Sequence, residues 1–393
     1  MEKIFETSFG RARLLAPGEV RGCALWAQSF GHLSKDSRFH EVVDEALGQQ
    51  FDFHYLLLEG PDGEARGVQP FFFVDQDLIM TAPKVVRTFA ATVRTLFPRF
   101  LRLRMLMAGC AAGEGHPASA PGDWHWTVAI AAEVLPKLAR RHGAPFVIWK
   151  DWPARYREVC RGVTTEGRFV RIPSMPATEL LLEFKDFDDY MRRHLSHAMR
   201  KNLRRKFKAT RDIALPMTVV SDVELIVDEV LALYEQVFAR STLKFERLTR
   251  EFLLLLGKRM PDRTRFFLWR HEGRLVACSI CLVHGDTIYD EYLCLDYSVA
   301  LTLHLYFVTM RDVLSWAMAN GIRRYCSTPL NYDPKLHLGF ALVPLDLYVA
   351  GSSPLLHAVI RRVLPWIEPT RSQPILQKFP NAAVMNAWAD VSL

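Results

Sequence analysis

The chain has 393 residues, of which half are hydrophobic and 24% charged, so it is not an intrinsically disordered protein and has room for two domains with separate cores. No apolar run is long enough to span a bilayer, and the acidic opening residues predict no secretion signal. The net charge of +7 favours an anionic partner or substrate, and seven scattered cysteines indicate reduced thiols in a cytoplasm.

The first half of the chain predicts a series of strands around one helix. Residues 54–74 have the pattern of a strand, a glycine-bearing turn and a second strand. The next predicted elements are a third strand, a glycine-rich loop, a glycine-closed helix and a fourth strand, at residues 103–107, 109–116, 127–142 and 146–149.

A proline-flanked segment, Pro173-Ser-Met-Pro176, follows this series. Prolines at both ends of a short segment are typical of a linker. We therefore expect two domains, at residues 1–176 and 177–393. The second begins with a strand at 178–184 and a helix that starts at Asp186.

The second half repeats the pattern of the first. Its predicted hairpin, third strand, glycine-closed helix and fourth strand lie at residues 266–283, 287–295, 301–320 and 322–326. Repeats of this kind fix an architecture before any other signal does. The expected fold class is therefore α+β, with two tandem copies of one unit, each a mostly antiparallel twisted sheet flanked by helices.

The helix from Asp186 continues into a segment without acidic residues, from Arg192 to Arg211. If this segment is helical, one side of the helix is apolar and the other is cationic. The apolar stripe consists of Met191, Leu195, Met199, Leu203 and Phe207. The cationic face consists of Arg193, His197, Arg200, Arg204 and Lys208. Because like charges repel, such a surface favours an anionic partner: donor phosphates, an acidic carrier protein, an RNA or an anionic membrane. A solvated helix face is the alternative.

Three segments resemble the GNAT acyltransferase fold, and their tandem arrangement is similar to that of the Fem-type (FemAB-like) aminoacyl transferases. The first is the basic helix at 187–207, with its run Arg200-Lys-Asn-Leu-Arg-Arg205. The second is the helix-to-strand step Trp316–Tyr325, and the third is Tyr332-Asp-Pro-Lys335 before Leu338-Gly-Phe340.

This resemblance implies an enzyme that transfers an acyl group to an amine without a permanently bound cofactor. The co-substrates it implies are acyl-CoA, an acyl carrier protein and aminoacyl-tRNA, in that order. GNAT enzymes hold the donor pyrophosphate on a glycine-rich turn after the third strand. Here the segment Asp296–Thr302 has no glycine, whereas the loop at 109–116 is glycine-rich, so which half holds the donor stays open.

The reaction is expected in the second domain, where the third and fourth strands of this fold part. Two adjacent acids, Asp290 and Glu291, interrupt an otherwise apolar and aromatic strand, and a carboxylate there could relay the proton of the attacking amine. Strand alternation predicts Asp290 and Tyr292 on one face and Glu291 on the other. Tyr292 and Tyr332 are the candidate acids for the leaving group, and a core arginine partner for an acid is the alternative.

Donor-binding and acceptor-binding groups are predicted around this strand. The donor candidates are Arg200, Arg204, Arg205, Ser298 and Lys335, of which the resemblance supplies Lys335. Glu246 and Arg247 lie in a loop between two helices that commonly lines the acceptor groove in this fold. Ordinary surface charges are the alternative for Lys335, Glu246 and Arg247.

A competing class is a non-catalytic GNAT pair that binds RNA or an anionic membrane through the basic helix. The amphipathic segment 357–367 either contacts a membrane peripherally or packs on its domain, and packing is the more common outcome. No metal site is predicted, since Cys278 and Cys281 point to opposite faces of a strand. The sequence does not predict the oligomeric state.

Overall fold

Both predicted hairpins form, and each is extended into a larger sheet. The computed structural model describes residues 3–77, 88, 92–95, 97, 100, 102–241, 244–366 and 368–386. Its contacts divide the chain into two units. The first comprises Met1–Ser174, Leu345–Ser372 and Asn386–Leu393, and the second comprises Met175–Pro344 and Gln373–Met385.

The first unit consists of one β-sheet and several helices. Strands and helices are numbered in order along the whole chain. Its strands are β1 (Ile4–Thr7), β2 (Gly10–Leu15), β3 (Asp52–Glu59), β4 (Ala65–Asp77), β5 (Arg102–Ala108), β6 (Phe146–Pro153), β7 (Val170–Pro173) and β15 (Leu345–Gly351). Its helices are α1 (Pro17–Arg21), α2 (Ala24–Phe30), α3 (Ser37–Leu47), α4 (Trp124–Arg141), α5 (Arg161–Thr165) and α12 (Pro354–Val363). The strand order is β1-β2-β3-β4-β5-β6-β15-β7.

The second unit has the same plan. Its strands are β8 (Ala177–Leu181), β9 (Met217–Val220), β10 (Thr264–His271), β11 (Arg274–His284), β12 (Thr287–Leu295), β13 (Arg324–Ser327) and β14 (Ala341–Val343). Its helices are α6 (Phe187–His194), α7 (His197–Ala209), α8 (Val227–Arg240), α9 (Arg250–Arg259), α10 (Leu305–Ala319) and α11 (Tyr332–His337). The strand order is β14-β8-β13-β12-β11-β10-β9.

Pairing in both sheets is antiparallel with one exception in each. Strand β5 is parallel to β6, and β12 is parallel to β13. In each case the connection is a long helix that ends before a glycine with positive φ, Gly143 after α4 and Gly321 after α10. The expected α+β class, with two mostly antiparallel sheets flanked by helices, is confirmed.

The expected join at residue 176 needs an amendment. The first join lies at Ser174/Met175, but β15 lies in the first sheet, between β6 and β7. Its Asp346 carboxylate is fully buried and accepts hydrogen bonds from Arg157 (2.7 and 3.1 Å) and Arg171 (2.9 Å) of that unit. The charge partners of Asp346 therefore explain why residues 345–351 do not belong to the second sheet.

The predicted single basic helix is wrong, because it is two helices. Leu195 is extended (ψ 147°), and the Ser196 hydroxyl accepts a hydrogen bond from the Met199 amide at 3.2 Å. Ser196 is thus the N-cap of a new helix, α7. The apolar stripe is nevertheless buried in the core of the second unit, at Met191, Leu195, Met199 and Leu203. In the described part of the chain, no helix combines the length and hydrophobicity needed to cross a membrane.

Candidate active site

The pairing of the parallel strands β12 and β13 ends beside the two adjacent acids. The register of β12 and β13 runs from Thr287 opposite Arg324 to Asp290 opposite Ser327, and the pairing ends there. Just beyond β13, the Thr328 amide still donates to the Asp290 carbonyl at 3.4 Å and its hydroxyl to the Glu291 carbonyl at 3.3 Å. Asp290 lies at the last paired position, and Glu291 is the next residue.

A β-bulge changes the directions of these side chains. Tyr292 lies opposite Ile280 and Asp290 lies opposite Cys281, so Glu291 is the extra residue of β12. Because Ile280 and Cys281 are consecutive, Asp290 and Tyr292 point to opposite faces of the sheet. The predicted alternation, with Asp290 and Tyr292 on one face, is therefore wrong.

Asp290 is at the centre of a buried polar cluster on one face of the sheet. Its carboxylate is 9% exposed and accepts hydrogen bonds from the hydroxyls of Tyr325 and Ser279, the latter at 2.5 Å. Burial, and then the charge of Asp290, raise the pKa of Tyr325 well above its usual value. Tyr325 therefore remains a proton donor to Asp290 at neutral pH.

Lys335 on α11 belongs to the same cluster. It is 4% exposed, and its Nζ donates to the Thr328 carbonyl at 2.5 Å. Burial lowers its pKa to about 8, while the charge of Asp290 acts in the opposite direction. A lysine with this pKa is partly neutral near physiological pH, so it can accept a proton as well as carry charge.

The turn before Lys335 is conformationally strained. Leu330 and Asn331 have φ of 76° and 52°, a region that residues other than glycine seldom adopt. Such backbone persists only where the surrounding structure holds it, and it is concentrated at functional sites. This turn connects β13 to α11, and α11 carries Lys335.

Tyr306 on α10 also faces this cluster. Its hydroxyl is buried, and the Asn331 side chain lies beside it as a hydrogen-bonding group, although the geometry falls short of a good hydrogen bond. Burial and the nearby Asp290 carboxylate raise its pKa above the usual value, so the phenol stays protonated. A buried hydroxyl whose hydrogen bond is poorly formed has an energetic cost that a bound ligand could offset.

A second polar group lies on the opposite face of β12. The Tyr292 hydroxyl donates to the Glu246 carboxylate at 2.9 Å, which connects the strand to the loop between α8 and α9. Burial, and then the charges of Glu246 and Glu291, raise the pKa of Tyr292 well above its usual value. Thus Glu246 lies near the acidic strand, as expected for a residue of the acceptor groove.

Other predicted site residues contact groups outside these two clusters. Tyr332 donates its hydroxyl to the Pro176 carbonyl at 2.8 Å, and Arg247 pairs with Glu235 on α8 at 2.8 Å. Ser298 donates from its amide and its hydroxyl to Asp296. The structure therefore brings together Asp290 and Lys335 on one face, and Tyr292 and Glu246 on the other.

The loop before α10 has few free amide groups. Backbone or side-chain acceptors within this unit bind the N–H groups of residues 297–300 and 303–305. The glycine-rich loop of the first unit is also folded inward: a Cβ on Gly115 would lie 2.3 Å from the Trp152 ring nitrogen. Close packing explains these glycines, and the bonded amides of residues 297–300 and 303–305 leave the loop before α10 little of the open backbone of a pyrophosphate cradle.

Helix α7 presents an exposed row of cations. Its unpaired members, which make no ion pair with any described residue, are Lys201, Arg204, Arg205, Lys208 and the following Arg211. By contrast, Arg250 and Lys258 on α9 pair with Asp228 and Glu224 at 2.9 and 2.6 Å. Arg200 differs from the row, because its guanidinium donates to the Leu195 carbonyl at the end of α6.

The cationic row runs beside the start of α10. Lys206 of α7 lies 4.5 Å from the Phe307 ring centre. Burial is the largest cause of the lowered pKa of His304, and the charges of Lys206 and Arg205 lower that pKa further. Lys206 and Arg205 of α7 thus lie near the N-terminus of α10. A surface cleft elsewhere in this unit, beside Leu215 and Trp316, contains none of the predicted site residues.

Sequence reasoning missed three members of the buried cluster. Ser279, Tyr325 and Tyr306 come from β11, β13 and α10, and only the sheet register and helix packing bring them to Asp290. Tyr325 was within a segment that carries the resemblance, but nothing in that segment marks its hydroxyl as a partner of Asp290. The described residues contain no group of three or more His, Cys, Asp or Glu side chains placed to hold a metal ion.

Comparison with known proteins agrees with this geometry. Residues 197–335 match the family model of the acetyltransferase (GNAT) domain. This match covers the basic helix α7, the bulged strand β12 and Lys335. A search of curated protein sequences gives no match.

Two solved structures share the fold at low sequence identity. FemX is 11% identical with a TM-score of 0.53, over 89% of this chain and 100% of that one. L-PGS from Bacillus licheniformis is 10% identical with a TM-score of 0.52, over 90% of this chain and 96% of that one. Both likenesses extend over the two units, so the shared fold includes the tandem arrangement.

Proposed function

Because residues 197–335 match the model of the acetyltransferase (GNAT) domain, we propose that this chain is an acyltransferase that moves an acyl group from a phosphate-bearing thioester to the nitrogen of an amine. The donor is acyl-CoA or an acyl carrier protein. The observation that carries this proposal is the buried Asp290 carboxylate with Lys335 near it, a buried lysine with a pKa of about 8, beside the end of the pairing between β12 and β13.

The chemistry requires the acceptor ammonium to lose two protons and the leaving group to gain one. Lys335 in its neutral form takes the first proton from the acceptor ammonium, and the negative Asp290 stabilises the lysine ammonium that results. The amine nitrogen then attacks the carbonyl carbon, a C–N bond forms, and the C–S bond breaks. The protonated hydroxyl of Tyr306 supplies the proton that the departing thiolate takes up, and the second proton, lost by the nitrogen as the amide forms, restores the Tyr306 hydroxyl.

The acceptor amine is proposed to reach Lys335 on the Asp290 face, and Glu246, on the opposite face of β12, is proposed to act only through its negative charge. The Glu246 carboxylate is fixed by the Tyr292 hydroxyl, and negative charge at that position attracts a cationic amine before it loses its proton. Glu291, 8% exposed at the bulge, adds to that negative field. Arg247 is not proposed to bind the acceptor, because it forms an ion pair with Glu235.

The donor phosphates are proposed to bind to side chains of α7 rather than to a backbone loop. The support is twofold: the loop amides before α10 are already bonded, and the cations of α7 make no ion pairs with described residues. Like charges at one- and two-turn spacing repel, and an anionic ligand removes that repulsion.

The same observation favours a second candidate, in which the donor is an aminoacyl-tRNA. Helix α7 has 13 residues and is therefore about 20 Å long, with exposed cations in nearly every turn. A row of this length suits a nucleic-acid backbone as well as it suits one nucleotide. The transferred group would then be an aminoacyl ester, and the C–O bond to the ribose would break instead of a C–S bond.

One assay distinguishes the donors. Purified protein is given acyl-CoA, acyl carrier protein or charged tRNA with a panel of amines, and thiol release or amino-acid transfer is measured. The first proposal expects amine-dependent thiol release, and the second expects transfer from charged tRNA alone. Binding of RNA with a steep salt dependence and no turnover of any donor would reject both.

The α7 row yields a prediction about donor affinity. We expect the double variant Arg204→Gln/Lys208→Gln to raise the KM for the donor about tenfold while kcat changes little, because phosphate contacts are made equally in ground and transition states. The dependence of KM on salt should also become shallower. Steady-state kinetics at several ionic strengths measure both effects.

A matched variant controls for net charge. Arg250→Gln/Lys258→Gln removes the same two charges from α9, where each is paired with a carboxylate. We expect its donor KM to remain near that of the parent protein. Equal effects of the two double variants would mean that overall charge, and not α7, attracts the donor.

The pKa of Lys335 yields a prediction about pH. Lys335 is protonated below about pH 8 and neutral above it, so kcat/KM should rise with pH and level off near that value. Since the charge of Asp290 raises this pKa, Asp290→Asn should move the residual profile to lower pH. An unmoved profile would assign the ionisation to the acceptor amine itself.

A further inference from the structure

Helix α12 of the first unit exposes an apolar stripe. Leu355, Val359 and Val363 are four residues apart and are 79%, 51% and 46% exposed, and Trp366 just beyond the helix is 75% exposed. These four side chains are within twelve residues of one another along the chain. Single exposed apolar residues are common, but a contiguous patch on one helix marks an interaction surface.

The opposite face of α12 fixes the helix in this orientation. Ile360 is 6% exposed, and the His357 ring bonds at both nitrogens: Nδ1 accepts from the Gly351 amide at 3.3 Å, and Nε2 donates to the Gly167 carbonyl at 2.8 Å. The backbone of His357 also lies so close to Gly351 that a Cβ there would be 2.6 Å away. The helix therefore cannot turn its stripe inward without breaking these contacts.

Positive charge accompanies the stripe. Arg361 and Arg362 are exposed in the last turn of α12, and neither forms an ion pair with a described residue. The Arg371 guanidinium lies 6.0 Å from the centre of the Trp366 ring and is paired with Glu368 at 3.9 Å, so the unpaired charge of this surface is that of Arg361 and Arg362. An exposed tryptophan between an apolar stripe and arginines is the composition of a helix that lies in a membrane interface.

We propose that α12 docks the protein on an anionic lipid surface. The apolar stripe enters the boundary between headgroups and acyl chains, and Arg361 and Arg362 bind lipid phosphates. Ser353 caps the helix through the Leu356 amide, so the helix is formed before it meets the lipid. No ordering cost then opposes binding.

A second copy of this chain is the less suitable occupant. In a symmetric dimer the same patch meets itself, which would bring Arg361 and Arg362 of one copy close to those of the other. The ten-residue helix is also only about 15 Å long, and its stripe is small beside the roughly 800 Å² per partner that a stable interface buries. Anionic lipid headgroups neutralise Arg361 and Arg362, and binding to a lipid surface does not require the buried area that a stable protein dimer needs.

Co-sedimentation with vesicles tests the proposal on the full chain. We expect binding to vesicles of equal parts phosphatidylglycerol and phosphatidylcholine, and about tenfold weaker binding to phosphatidylcholine alone. Val359→Asp together with Leu355→Asp should lower the binding to anionic vesicles at least about tenfold. Both residues are exposed, so the thermal unfolding midpoint should stay unchanged.

The control is Leu225→Asp, which changes a leucine that is 98% exposed in the second unit. It should bind vesicles like the parent protein. If the α12 variant also binds normally but Arg204→Gln/Lys208→Gln does not, the lipid contact belongs to α7 and the proposal is wrong. Sedimentation that shows a dimer lost only in the α12 variant, with no vesicle binding by the parent, would assign the stripe to a second copy instead.

Discussion

Replacing Asp290 by asparagine should lower kcat by about 10² to 10³, the range found when one preorganised electrostatic group is removed from an active site. Asparagine keeps the shape of the side chain but removes the negative charge that stabilises protonated Lys335. It also leaves the Tyr325 hydroxyl with a weaker acceptor. The measurement is single-turnover transfer with saturating donor, which separates the chemical step from binding.

Two further variants separate chemistry from folding. Glu179→Gln changes another buried carboxylate of the same sheet, one that pairs with Arg324 on the neighbouring strand, and we expect kcat to remain within a few fold. Tyr325→Phe removes only the hydroxyl that donates to Asp290 and should give an intermediate loss. If folded Asp290→Asn turns over at the rate of Glu179→Gln, the carboxylate is structural and the proposed relay is wrong.

The strands and helices that frame this site were predictable because local pattern decides them. Alternating apolar residues around glycine turns gave both hairpins, and the glycines after α4 and α10 gave the ends of the helices. The repeat then implied the sheet plan. The helix break at Ser196 was also predictable, because serine is a favoured N-cap residue and here accepts from the Met199 amide. The continuous apolar stripe instead favoured the prediction of a single helix.

The arrangement of the reacting groups was less predictable. Asp290 was predicted as a site residue because two acids interrupt an apolar strand, and Lys335 because of the family resemblance. The bulge at Glu291, however, has no sequence signal within β12 itself. It follows from how β11 and β12 pair across the sheet. Pairing also brings Ser279 and Tyr325 to Asp290, and such partners are separated widely along the chain.

The position of β15 illustrates the same limit. An acid within Leu345–Gly351 signals a buried partner, yet the sequence does not say which arginine that partner is. In the structure the partners are Arg157 and Arg171, both of the first unit. An isolated buried charge is so costly that the strand must lie where the guanidinium groups are.

Asp346→Ala should therefore lower the free energy of unfolding of the first unit by about 3 to 5 kcal/mol, because it leaves two buried guanidinium groups without their carboxylate. For a unit of this size the expected drop in the unfolding midpoint is roughly 10 °C. Urea and thermal unfolding measure the loss. Asp346→Asn, which retains an acceptor without the charge, should lie between alanine and the parent.

A surface pair provides the comparison. Glu158 and Arg161 form an ion pair with side chains 39% and 52% exposed, so Glu158→Ala should cost at most about 1 kcal/mol. The difference between the two substitutions measures what burial adds to an ion pair in the same unit. Equal costs would mean that backbone pairing and apolar contacts hold β15 in the first sheet, and that Asp346 is not the reason for its position.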